Sequence, residues 1–244
     1  MIGQPPRLWQ RMVGAVLPAD KTFWRLYSPI IKILGDSNEH LLIRNKVNQY
    51  LSLNHNDRLL DVGCGKAVWL AEVSSLVRQA VGLDSERRML TGAAKPAGSF
   101  VQADLNAGLP FKDNSFTKIG SLLVDGYLRD IELAISERYR ILSPGGVMAV
   151  VTPKKGAKFF KVLAAEARHR KEERTIIENI KRLPLAIAAV IFGKIAELKA
   201  VVGHWHFFDR DELKAVYLRA GFEVLACDPV YADQAWLLLC RKPR

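Results

Sequence analysis

The sequence predicts an α/β fold: a doubly wound sheet of seven strands, the last antiparallel, with an N-terminal helical cap and a helical insertion. Three observations predict it. Short apolar runs alternate with helix-period segments between residues 58 and 152, as βαβ units do. A glycine-rich turn joins the first run directly to a helix. After a long helical stretch, the chain returns to a helix and two further apolar runs.

Residues 1–55 form the predicted cap. Basic and aromatic positions alternate there (Arg7, Trp9, Arg11, Lys21, Phe23, Trp24, Arg25, Tyr27) before a helical segment begins. Asp36 followed by Glu39 fits a capping box, and Leu41, Leu42, Val47, Tyr50 and Leu51 supply its apolar positions. The predicted core is 56–153 with 207–244, and 154–206 is a helical insertion or lid. Strands are expected at 58–62, 80–83, 99–102, 116–123 and 146–151, with helices at 66–77, 85–94 and 128–142 between them. Runs this short and apolar suit a parallel sheet covered on both faces. The close is a helix at 210–220 and strands at 222–226 and 234–240, near enough in sequence to pair antiparallel.

Composition narrows the function classes. With 49% hydrophobic and 25% charged residues, the chain is an ordinary globular protein rather than a disordered or fibrous one. Lys and Arg total 36 against 25 Asp and Glu, so the surface attracts anions such as phosphates, nucleic acid or acidic headgroups. Cys64, Cys227 and Cys240 form no pair and no metal-ligand spacing, which points to a reducing compartment and no metal. No secretory segment is read at the N-terminus. The longest uncharged apolar stretch, 183–193, is 11 residues, whereas a spanning helix needs roughly 20. The expected location is cytoplasmic, with peripheral membrane contact open.

The strongest local signal is Leu59-Leu60-Asp61-Val62-Gly63-Cys64-Gly65-Lys66-Ala67. Glycines in such a turn let backbone approach a ligand, and the following helix offers unpaired N–H groups. Asp84 ends the next apolar run, where a nucleoside presents its ribose hydroxyls. A phosphate loop would need GxxxxGK followed by Ser or Thr, but Ala67 follows Lys66 and position 60 is not glycine. A dinucleotide fingerprint would need a third glycine at Val68. The remaining pattern, an acid two residues before GxG and another after the second strand, suits a nucleoside with a positive sulfonium and an amino-acid tail. Asp61 would favour its cationic end.

On these residues the sequence resembles the class I S-adenosylmethionine-dependent methyltransferases, in particular the ubiquinone/menaquinone branch acting on small molecules. The resemblance covers about 57–152 and 207–242. It extends to Gln102-Ala103-Asp104-Leu105 with Leu109-Pro110-Phe111, to 119–130 around the fourth strand, to Arg140-Ile141-Leu142-Ser143-Pro144-Gly145-Gly146, and to Arg219-Ala220-Gly221-Phe222-Glu223. It implies a Rossmann-like core and S-adenosylmethionine as cofactor. Asp61, Gly63 and Gly65 would hold the methionine end, Asp84 the ribose, and Asp104 with Leu105 the adenine. Ser121 joins this set, and Tyr27, in a Tyr-Ser like the family's Tyr-Asp, would cover the cofactor. Three positions depart from the family: Ala67 for a glycine, placing a methyl near the ligand; Thr117 for an Asp; and Gly126-Tyr127 for paired histidines.

Candidates for an acceptor base are Tyr127, Asp125, His204 and His206, the histidines flanking Trp205. The amino-methyltransferase motif [DN]PP[YF] is missing at 121–127 and no cysteine follows a proline, which lowers nucleic-acid bases as targets. From 154 to 182 there are ten Lys or Arg and four acids, followed by an apolar stretch at 183–192. That composition suits an interfacial element, a lid over an apolar pocket, or a solvated face. The favoured reading is methyl transfer to a small apolar or amphipathic acceptor, quinone-like or a lipid headgroup, at an anionic membrane surface. The alternatives are an RNA methyltransferase using the basic insertion and a non-catalytic methyltransferase-like binding protein.

Overall fold

A computed structural model describes residues 22, 37–91, 98–169, 176–202 and 205–244. The sheet consists of β1 (Arg58–Val62), β2 (Gln79–Asp84), β3 (Ser99–Gln102), β4 (Phe116–Leu122), β5 (Leu142–Pro153), β6 (Glu223–Val230) and β7 (Ala235–Arg241). Its seven strands are ordered β3-β2-β1-β4-β5-β7-β6. The first five run parallel, and β7 is antiparallel to both β5 and β6. The doubly wound prediction with one antiparallel strand is therefore correct.

Apolar residues alternate in direction along each strand, so each face acquires its own core. Leu60, Val62, Ile119, Met148 and Val150 pack with α4 (Ile131–Ile141) and α7 (Arg210–Arg219) through Ile135, Leu213 and Tyr217. Leu59, Ala149, Val151 and Leu237 face the other way, towards α1 (Asn38–Leu51) and α2 (Val68–Val73), meeting Ile43, Val47, Leu51, Trp69 and Leu70. Trp69 Nε1 donates to Asn48 Oδ1 at 2.7 Å and ties α2 to α1. A short helix α3 (Arg87–Thr91) follows β2.

Several boundaries differ from expectation. The cap of α1 is Ser37, whose Oγ accepts from the His40 amide. The expected partner Asp36 lies outside the described residues, and the Glu39 carboxylate accepts from Ala232 N at 2.7 Å. A complete capping box occurs instead on α7, between Asp209 and Glu212. The segment 142–146, which falls between the expected helix and strand, belongs to β5 as an irregularity in its pairing with β4: Phe116 sits opposite Leu142 and Lys118 opposite Val147. Gly145 N donates to Lys242 O and Lys242 N to Gly146 O, which keeps the turn-like Pro-Gly-Gly inside the ladder.

The stretch after β5 leaves and returns at one point. Lys154 and Phe208 form a parallel bridge, with Lys155 N donating to Phe208 O at 2.8 Å. In between lie α5 (Phe159–His169) and α6 (Ile176–Val201). Among the described residues no helix is long and apolar enough to cross a membrane.

Candidate functional site

A cavity of about 1070 Å³ opens at the carboxyl ends of β1, β2 and β4, the side on which doubly wound sheets bind ligands. That volume sits at the upper end of the ~300–1,000 Å³ usual for ligand pockets. It accommodates more than one small molecule.

One wall is the glycine turn. Gly63 N and Cys64 N both donate to Leu83 O, at 2.7 and 2.9 Å, which fastens the turn to β2. Gly63 has φ +69°, and a Cβ there would lie 2.4 Å from Val124. Gly65, at φ +53°, has no atom within 4 Å of its Cβ position, so its face is open to the cavity. Gly65 N donates to Asp84 Oδ2 at 2.9 Å, and Glu86 N donates to Asp84 Oδ1 at 2.8 Å. Burial raises the Asp84 carboxyl above its ordinary range, against these two donors.

Asp61 carries the main electrostatic feature. Its backbone is paired on both sides, with Gly82 and Gly120, and its carboxyl is buried yet lines the cavity. Burial, and then the charge of Asp84, push it up to about 8. Two neighbouring carboxyl groups in a low-dielectric wall favour a cation between them. The donor set thus fits a positively charged nucleoside: acids for the charge and hydroxyls, and open glycine backbone for close approach.

Asp104 and Leu105 also line the cavity, with Asp104 Oδ1 accepting from Asn106 N at 2.9 Å. Ala67 departs from expectation. At φ 57° it occupies the left-handed region, and its methyl is fully buried in the core beside Trp69 and Leu70 rather than at the ligand wall. Ser121 is likewise not among the lining residues: it is fully buried and donates to Asp125 Oδ1 at 2.7 Å. Asp125 is locked in an ion pair with Arg138 at 2.7 Å and accepts from Tyr217, so it is unavailable as a base.

Tyr127 does reach the cavity, held edge-on by Trp205 at 4.8 Å and Phe207 at 6.0 Å. Burial raises its hydroxyl well above the ordinary tyrosine range, which leaves it a donor and not a base near neutrality. His206 lies outside the lining, because its amide donates to Gly126 O and its ring stacks on Phe208, with Nε2 3.4 Å from Arg129 O. His204 and Tyr27 fall outside the described residues. Among those described, no three His, Cys, Asp or Glu side chains are grouped to hold a metal ion.

The individual residues of the opposite wall were not singled out in the sequence, which offered 154–206 only as an insertion or lid. That wall comes from α1 through His40, and from α5 and α6 through Phe159, Val162, Phe192, Gly193 and Ala196. No motif marks these positions, since they converge only once both helices fold back over the sheet.

Residues 60–150 match the family model described as a methyltransferase domain. A demethylmenaquinone methyltransferase of Staphylococcus carnosus is 27% identical over 199 residues, covering 76% of each chain. In the complex of the Haloferax volcanii Trm112 methyltransferase activator with a methyltransferase, one chain aligns with a TM-score of 0.66 at 15% identity, covering 93% of this chain and 98% of that one. An S-adenosylmethionine-dependent methyltransferase from Mesorhizobium loti aligns with a TM-score of 0.58 at 17% identity, covering 81% of this chain and 96% of that one. Sheet order, acidic glycine wall and sequence kinship agree: residues 60–150 carry a methyltransferase domain on the sheet order of the class I, Rossmann-like fold, with S-adenosylmethionine as the methyl donor this implies.

Proposed function

We propose that this methyltransferase acts on a small apolar ring acceptor of the quinol type, taken up through the helical wall of its cavity. The observation that carries this reading is the two-sided lining: acids and glycine backbone on the sheet side, and Phe159, Val162, Phe192 and Ala196 on the helical side. A polar wall binds the charged cofactor, while an apolar wall of that extent is matched by an apolar partner. The name of the Staphylococcus carnosus relative, a demethylmenaquinone methyltransferase, supports the same acceptor class.

Asp61 and the Gly63–Gly65 backbone would hold the cationic methionine end, Asp84 the ribose, and Asp104 with Leu105 the adenine. Bound there, S-adenosylmethionine supplies an electrophilic methyl group. The chain's own residues then contribute position and water exclusion: the apolar wall seats the ring and Tyr127 donates a hydrogen bond. Exposed Ile187, Val190, Ile191 and Phe160 on the outer side of α5 and α6, near Lys158, Lys161 and Lys194, support delivery of the acceptor from an anionic membrane surface.

The test is label transfer from methyl-labelled S-adenosylmethionine to 2-prenyl-1,4-naphthoquinol, phosphatidylethanolamine vesicles and bulk tRNA, assayed side by side. Label on the naphthoquinol alone is expected. Label on tRNA alone would overturn the reading.

A further inference from the structure

Among the described residues, one imidazole sits in the cavity wall, in the first turn of α1. His40 is a lining residue, and its ring meets Tyr231 edge-on at 5.0 Å and 84°. Its Nδ1 lies 3.0 Å from Ser37 Oγ. The same Oγ accepts the His40 amide as the helix cap, at 3.3 Å. Ser37 is 1% exposed, and Nδ1 is the one acceptor within reach of its hydroxyl among the described residues. A buried hydroxyl already accepting a backbone N–H places its own proton on the remaining acceptor. The Ser37 proton therefore goes to Nδ1, and the neutral ring carries its hydrogen on Nε2. With Nδ1 turned to the helix cap, Nε2–H is the edge left for the cavity, without a hydrogen-bond partner among the described residues.

We infer that His40 is an acceptor-orienting residue: its Nε2–H binds a carbonyl or phenolic oxygen of the ring that occupies the apolar half of the cavity. The inference rests on the acceptor class proposed above. A neutral donor suits the place. Burial and the Arg44 guanidinium hold the imidazole down at about 4, so it adds no positive charge beside a cationic cofactor. An apolar wall seats a ring but does not fix its rotation, whereas one directional donor does. The edge-on contact with Tyr231 holds the imidazole plane so that the donor direction is set in advance.

Two measurements on the full chain saturated with S-adenosylhomocysteine test this. In histidine labelled with nitrogen-15, His40 is expected to show an acceptor-type Nδ1 and a protonated Nε2 at pH 7; the reverse tautomer would overturn the inference. Calorimetry then compares 1-tetralone with tetralin, which share a shape and differ in the carbonyl. The ketone is expected to bind about tenfold tighter, or about 1.4 kcal/mol. His40→Phe is expected to abolish that difference while leaving tetralin and S-adenosylhomocysteine within about twofold. His40→Gln, whose amide nitrogen reproduces the donor, is expected to restore most of it. Equal loss of both probes in His40→Phe would overturn the role of His40 and leave the acceptor class standing. Failure of both probes to bind the wild-type chain, with S-adenosylhomocysteine still bound, would overturn the acceptor class and the inference with it.

Discussion

Asp61 sets the charge balance of the cavity. Its carboxyl rises from 3.8 to about 8 on folding, so the folded chain holds this proton more tightly than the unfolded chain. Its contribution to stability is present at low pH and is lost as pH rises from about 4 to about 8. Asp61→Asn removes that loss. The variant's melting temperature is expected to gain on the wild type between pH 5 and pH 8, by about 2–4 °C per kcal/mol for a chain of this size. Parallel melting curves across that range would refute the assignment. The same substitution takes away a charge-assisted contact and is expected to weaken S-adenosylmethionine binding by about 1.5–3 kcal/mol, about tenfold or more in Kd. Asp61 and Asp84 were legible in the sequence because acid, glycine turn and second acid occur in fixed order. His40 was not, because a lone histidine in a polar first turn has no periodicity and acquires meaning only through Ser37 and the cavity.

Among the elements, α5 and α6 supply part of the helical wall of the cavity. They pack tightly at Gly193, where a Cβ would fall 2.5 Å from Phe159 Cβ. Gly193→Ala must therefore push the helices apart, at a cost of about 1–3 kcal/mol typical of overpacking. The expected kinetic result is a raised KM for the naphthoquinol with S-adenosylhomocysteine affinity unchanged within about twofold. An equal loss of cofactor affinity would show that the helices support the cofactor wall instead. The strands were readable from their apolar runs: after Arg58 at its start, β1 is buried throughout, with Asp61 its one polar residue there. The irregular start of β5 was not. Ser143-Pro144-Gly145-Gly146 has turn chemistry, and only Lys242, nearly a hundred residues later, draws it into the sheet.

The molecule as a whole carries a surplus of 11 positive charges. Part of it lies near the exposed Ile187, Val190 and Ile191, which are 53%, 39% and 53% accessible on a face of α6. Apolar side chains beside lysines bind anionic bilayers by combining insertion with a salt-screened attraction. Co-sedimentation with phosphatidylglycerol vesicles is expected at low salt, to fall as salt is raised, and to fall further in Ile187→Asp/Ile191→Asp. No sedimentation at low salt would remove the membrane from the picture.

The placement of β7 between β5 and β6 also has a consequence for how the chain is made. The ribosome completes β5 at Pro153, but the neighbour that covers its edge begins at Ala235, about 80 residues later. At about 5–20 residues per second, that edge waits roughly 4–16 s for its partner. During that interval the nascent sheet presents an unpaired row of peptide groups. The sheet is thus completed only after the intervening helices have been made.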